Sequence, residues 1–144
     1  TLGCSGNPES LAELPGNFLV VSYAPQSELL QKATLTIIHA GMNTTLEWLT
    51  YVLPMVAIPL DNDQHGNAMQ TACTGTGEIV PLKKLSVVCL HKAVKQVLTE
   101  DSYKKNALRL QEAIKRCGGV KKAADIIEQA VSTEEPVLAW KKLL

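Results

Sequence analysis

The sequence predicts an α/β fold, a Rossmann-like parallel sheet flanked by helices, from three observations. Short apolar runs alternate with segments of helical period. The runs are apolar almost throughout, with no polar face, as strands covered on both sides of a parallel sheet are. Turn-forming or helix-capping residues follow the runs, at Pro25, at Ala40-Gly41 and at 61–63 (DND).

The elements follow in order. Residues 1–16 hold Gly, Ser, Pro and Glu and read as loop with at most one helical turn. Residues 18–23 (FLVVSY) read as a first buried strand. Pro25 stops it, and Ser27 can cap a helix through about residue 33. The β-branched run 35–39 (LTIIH) is a second strand. Residues 44–51 read as a helix, 54–59 (PMVAIP) as a third strand, and Asp63 can cap a helix through about Cys73. Gly75 and Gly77 mark a turn before a short fourth strand at 78–81 (EIVP). The rest is helical. Ser86 is the expected N-cap of a helix with Leu90, Val94, Val97 and Leu98 at helical spacing. Asp101 starts another, with Leu110 and Ile114 on one face and Gly118-Gly119 as its stop. Residues 120–131 form the last, lining up Ala123, Ile127 and Val131. Residues 132–136 (STEEP) read as a linker, and 140–144 as a short amphipathic end.

Composition narrows the function. A chain of 144 residues fits one domain with a workable core. Hydrophobic residues make up 46% and charged residues 19%, as in a soluble globule. Lys and Arg number 14, as do Asp and Glu, and no basic block occurs, which argues against nucleic acid. The longest apolar run, 51–60, holds two prolines and is too short to span a bilayer. Nothing at the start resembles a signal peptide. Cys4, Cys73, Cys89 and Cys117 form no CxxC pair and no zinc spacing, so reduced, mostly buried thiols in a cytoplasmic protein are expected.

The chemistry concentrates in residues 23–64. Three groups of polar residues, 23–26, 39–44 and 61–64, fall at or just after predicted strand ends, where open parallel sheets bind ligands. A strand that passes through Ala40-Gly41 into a helix beginning near Asn43 and Thr44 offers unpaired backbone N–H groups and a positive dipole end to an anion. With the His39 imidazole and several short polar side chains beside it, a diphosphate is the ligand this arrangement suits. Each residue also has a plainer role. His39 can end a strand, Asn43 and Thr44 can cap, and Thr44-x-x-Glu47 has the spacing of a capping box. The triplet Asp61-Asn62-Asp63 has the form of a metal-binding DxD, and Asp63 can also cap a helix.

These residues, from YAPQ at 23–26 through HAGMNTTLE at 39–47 to Asp63-Gln64, resemble the donor-binding signature of UDP-sugar-dependent inverting glycosyltransferases of the GT-B type. The resemblance is nearest to the macrolide, carotenoid and plant secondary-product branch. It implies that the chain is the C-terminal half of a GT-B fold, with residues 1–131 as a donor-binding domain and 132–144 as linker and tail. It implies that His39, Gly41, Asn43 and Thr44 contact the donor diphosphate. Tyr23, where the family usually has Trp, would stack on uracil; Gln26 would bond the nucleoside edge; and Glu47 would hold both ribose hydroxyls. Asp63 and Gln64 would hold the sugar. No metal and no cofactor are implied, UDP-sugar being a substrate, and the DxD reading is set aside. His65, His91 and Trp48 receive no site role, Trp48 being expected in the core.

Two departures accompany the resemblance. The family usually has Gly where Val52 stands. A β-branched residue does not easily take a positive φ, so either the turn differs or the family's Gly does not depend on it. The family's chains are also about three times this length, by the same resemblance. The half that binds the acceptor and supplies the catalytic base is absent, and the start of the donor domain looks truncated. The chain alone is therefore expected to be an inactive hexosyltransferase fragment with no catalytic residue of its own. Exposed strand edges predict dimerisation, a rearranged strand order, or a lost beginning. The alternatives are a donor-binding subunit that docks on a separate acceptor-domain partner, with the tail at 137–144 as the candidate docking segment, and an inactive gene remnant. A nucleotide-sugar epimerase shares the sheet but lacks the signature.

Overall fold

The computed structural model describes residues 15–138 apart from 19 and 22. The predicted tail at 140–144 and Cys4 lie outside the described residues. The chain divides into two compact units, Thr1–Ala33 and Thr34–Leu144.

In the first unit, the Phe18 N–H donates to the Pro15 carbonyl at 2.9 Å and closes a turn. Helix α1, Gln26–Lys32, follows Pro25. Glu28 sits in its first turn and Lys32 in its last, each favourable to the helix dipole. Ser27 lies inside the helix rather than capping it, since Pro25 holds the N-cap position. The strand predicted at 18–23 is not formed by the described residues. Phe18, Val20, Val21 and Tyr23 are all exposed. An apolar run becomes a strand only where a neighbour supplies ladder hydrogen bonds, and none is paired to this one among the described residues.

The second unit carries a three-stranded parallel sheet in the order β1-β2-β3: Thr36–Ile38, Met55–Ala57 and Gly77–Ile79. Helices α2, Met42–Thr50, and α3, Gln64–Cys73, connect the strands. A 3-10 turn, Leu82–Lys84, leads to α4 (Val87–Thr99), α5 (Asp101–Arg116) and α6 (Gly119–Thr133). Strand β2 is buried along its whole length, as a uniformly apolar run should be. Its pleat sends Val56 into a cluster with Val80, Ala93, Val97 and Tyr103. Met55 joins Ile38, Leu49 and Ala107, and Ala57 joins Ala40 and Ala68. Alternate residues of one strand thus feed different clusters, with α4 on one side, α2 and α3 on the other, and α5 giving Tyr103 to the first and Ala107 to the second. Full burial of Val56 alone is worth about 2 kcal/mol. Trp48, Leu110 and Ile114 pack against the Met55 cluster, as the helical spacing predicts. At Gly77 a Cβ would land on the Met55 carbonyl oxygen, so only glycine allows β3 to approach β2 this closely.

Several boundaries move. Helix α2 starts at Met42, two residues before the predicted start, because the extended Gly41 acts as N-cap. Strand β3 starts at Gly77, and α6 runs on through Thr133 into the predicted linker. Ser86 caps α4 as predicted, its Oγ accepting from the Cys89 N–H at 3.2 Å. Leu98 is exposed while Val97 is buried, since Leu90, Val94 and Val97 already fill the inward arc of α4. Helix α6 buries none of its residues, so Ile127 and Val131 line up on an exposed face. Cys73, Cys89 and Cys117 are exposed as well as free. They sit at helix ends or on outward faces, which correlate poorly with the usual burial of thiols.

Val52 resolves the first departure in an unexpected way. The Leu53 N–H donates to the Trp48 carbonyl at 3.2 Å and the Val52 N–H to the Leu49 carbonyl at 3.1 Å. These two bonds close α2 as a Schellman motif whose left-handed position belongs to Val52, at φ 59°. The turn keeps the conformation that favours glycine and forces valine into it. Val52 compensates by packing against the Met55 cluster.

Candidate functional site

The site is built from the carboxyl ends of β1 and β2. After β1 the chain passes through His39, Ala40 and Gly41 into α2. Ala40 is fully buried and takes the left-handed conformation, φ 65°. This reversal lets the next residue, Gly41, start the helix at once. The Gly41 carbonyl accepts from the Thr45 N–H at 2.9 Å and from the Thr45 Oγ1 at 3.0 Å. No side chain caps the N-terminus of α2. The backbone N–H groups of Met42, Asn43 and Thr44 therefore have no intrahelical acceptor and point outward along the dipole.

His39 lies against this terminus. A Cβ on Gly41 would stand 2.7 Å from His39 Nε2, so the missing methyl is the space the imidazole occupies. His39 and Asn43 are exposed, and Thr44 is half-buried. An exposed imidazole and a row of outward N–H groups on one helix end are what an anion needs. Glu47 is half-buried on the same helix. With Gly41 at the N-cap, Thr44 occupies the third helical position, so the capping-box reading of Thr44 and Glu47 does not hold.

The second wall follows β2. Asp63 precedes α3 and Gln64 opens it. Asp63 holds the N-cap position as predicted but without a side-chain cap: its own backbone is helical, and its carboxylate Oδ2 accepts from Asn67 Nδ2 at 2.9 Å. Gln64 Oε1 accepts from the Leu60 N–H at 2.9 Å and the Asp61 N–H at 3.2 Å, which ties the loop to the helix start. Asp61 Oδ1 accepts from the Asn62 N–H at 2.7 Å. Among the described residues, no group of three or more His, Cys, Asp or Glu side chains is arranged to hold a metal ion.

Asn67 escaped the sequence reading. It is buried on α3, and its Nδ2 also donates to the Ala40 carbonyl at 3.0 Å, so one amide joins the two walls. The signal available was the i, i+4 spacing of Asp63 and Asn67 on one helix. Second-unit residues His39, Gly41, Asn43, Thr44, Asp63 and Gln64 thus lie on adjoining strand-end turns and helix starts, with Glu47 farther along α2. Tyr23 and Gln26 belong to the first unit. Tyr23 is 81% exposed, and Gln26 is the first residue of α1.

The sequence profile of the family described as "UDP-glucoronosyl and UDP-glucosyl transferase" matches residues 5–119. The chain is 39% identical over 121 residues to the uncharacterized UDP-glucosyltransferase YojK of Bacillus subtilis, covering 84% of this chain and 30% of that protein. It is 38% identical over 120 residues to the zeaxanthin glucosyltransferase of Pantoea ananas, covering 83% of this chain and 28% of that one. Among solved structures, the glycotransferase of kitacinnamycin superposes with a TM-score of 0.81 at 29% identity, over 88% of this chain and 33% of that one. The spinosyn forosaminyltransferase SpnP shares the fold at a TM-score of 0.80 and 23% identity. The chain spans about a third of the length of the relatives it matches.

Proposed function

This chain belongs to the UDP-glucoronosyl and UDP-glucosyl transferase family, and from that premise we propose that it is the donor-binding part of a hexosyltransferase that works with inversion. The observation that carries the reading is the His39 imidazole seated over Gly41 at the uncapped start of α2. In this reading the amides of Met42, Asn43 and Thr44, the Asn43 and Thr44 side chains and His39 bind the donor diphosphate. Glu47 accepts from the two ribose hydroxyls, as a carboxylate does well. Asp63 Oδ1 and Gln64 Nε2 are the atoms for sugar hydroxyls, because Asp63 Oδ2 and Gln64 Oε1 already serve the protein.

The chemistry follows from these positions. An acceptor hydroxyl attacks the anomeric carbon from the face opposite the diphosphate. The bond from that carbon to the diphosphate oxygen breaks, and its electron pair leaves with UDP. The acceptor's proton goes to a base that this donor site does not contain. His39 and the α2 amides stabilise the negative charge that develops on UDP, without a cofactor and without a divalent cation. The chain alone is expected to bind donor without transferring sugar, the acceptor-binding part being among the roughly two-thirds of the relatives that it does not span. The free thiols Cys73, Cys89 and Cys117 favour the cytoplasm as its compartment. No helix among the described residues is long and apolar enough to cross a membrane.

The strand edges bear on assembly. Strands β1 and β3 are the outer strands among the described residues, and Ile37 on β1 is 49% exposed. Pairing of such edges between two copies gives a homodimer. Sedimentation of a stable monomer at high concentration would contradict it.

Calorimetric titration with UDP, in EDTA and then in magnesium, tests the donor reading. Binding that is independent of the cation, and weaker by about 10-fold or more in His39→Ala and Glu47→Ala, is the expected outcome. Binding that needs magnesium, or a well-folded chain that ignores UDP, contradicts it.

A further inference from the structure

Resting on the donor-site reading, we propose that Asn67 is a positioning residue that locks the diphosphate subsite to the sugar subsite, so that the site distinguishes a UDP-sugar from UDP alone. Its amide has two N–H groups, and both are used: one meets the Ala40 carbonyl at 3.0 Å and the other the Asp63 Oδ2 at 2.9 Å. Asn67 is 7% exposed; its bond to the Ala40 carbonyl is buried, and its bond to the exposed Asp63 carboxylate is partly buried. Its two partners lie on different walls of the site.

Ala40 is held in the left-handed conformation, which an alanine leaves at a gain of about 1 kcal/mol when nothing opposes it. The bond from Asn67 to its carbonyl opposes it. That same residue sets how His39 and Gly41 enter α2. The bond to Asp63 fixes which carboxylate oxygen faces the protein and leaves Oδ1 for a ligand. One planar group therefore sets both the diphosphate turn and the sugar-binding carboxylate, and rotation of either must drag the other.

The experiment compares UDP and UDP-glucose by calorimetry on the wild-type chain, Asn67→Asp and Asn67→Leu, with Tm measured alongside. Asn67→Asp keeps the shape of the side chain, loses both donors and opposes the Asp63 charge. Asn67→Leu removes polarity at similar volume. The expected result in both is UDP binding weakened about 10-fold and UDP-glucose binding weakened about 100-fold, so that the preference for the sugar nucleotide falls about 10-fold. If Asn67→Leu fails to fold, Asn67→Asp carries the comparison. A lowered Tm with an unchanged ratio of the two affinities assigns Asn67 a structural role only and overturns the proposal. Wild-type chain that binds neither nucleotide overturns the donor-site reading, and this inference falls with it.

Discussion

His39 Nε2 sits 2.7 Å from the point where a Cβ on Gly41 would stand. Gly41 has an ordinary φ of −62°, so the requirement for glycine here is space and not backbone freedom. The obstructing atom is the far end of a side chain that can rotate. Gly41→Ala is therefore predicted to fold normally and to push the imidazole off the helix terminus. UDP affinity should fall about 10-fold while Tm stays within about 2 °C of wild type. Paired calorimetry and thermal melts check this, and a large loss of Tm would show that Gly41 serves the fold instead.

Val52 gives a prediction with an unusual sign. Glycine is ordinarily less stable than alanine by about 0.5–1 kcal/mol. At a left-handed C′ position the order reverses, since the Cβ clash costs about 1–2 kcal/mol. Both Val52→Ala and Val52→Gly lose the packing of valine on the Met55 cluster, so their difference isolates the backbone term. Urea unfolding should find Val52→Gly more stable than Val52→Ala by about 1 kcal/mol. The opposite order would mean that the turn has relaxed to a negative φ.

Tyr103 ties α5 to the sheet, its hydroxyl donating to the Glu78 carboxylate and accepting from Gln96 Nε2 at 2.8 Å. Burial, and then the Glu78 carboxylate, push its pKa up from 10.0 to about 12. The folded pKa lies above the unfolded one, so the phenol's contribution to stability is full below pH 10 and is lost as pH rises through 12. Tyr103→Phe should cost about 1–2 kcal/mol at pH 7, where Glu78 loses a donor. Between pH 10 and 12 the gap to wild type should narrow. Urea unfolding across that range measures it, and a gap of constant size would refute the linkage.

Much of this site was legible in the sequence, because strand ends in a parallel sheet follow from apolar runs that stop. The runs 35–39 and 54–59 stop at His39 and Pro59, and that alone located the turns that carry His39, Gly41, Asp63 and Gln64. What stayed hidden depends on partners distant in the chain. Residues 18–23 have strand composition but no ladder partner among the described residues, and composition cannot report a missing neighbour. The apolar stripe of α6 has the right period, yet period says nothing of whether a surface exists to receive it. The start of α2 shifted because Ala40 absorbs the chain reversal, leaving Gly41 to cap. Val52 accepts strain because its side chain is rewarded by packing, a balance that rules on φ preference do not contain.

The most direct test of the central claim is a titration of UDP into 15N-labelled chain, followed by backbone amide NMR. The amides of Met42, Asn43 and Thr44 should move first and furthest, with the His39 ring shifting in step and the amides of α6 unmoved. Perturbations centred elsewhere, or none in a folded chain at millimolar UDP, would contradict it.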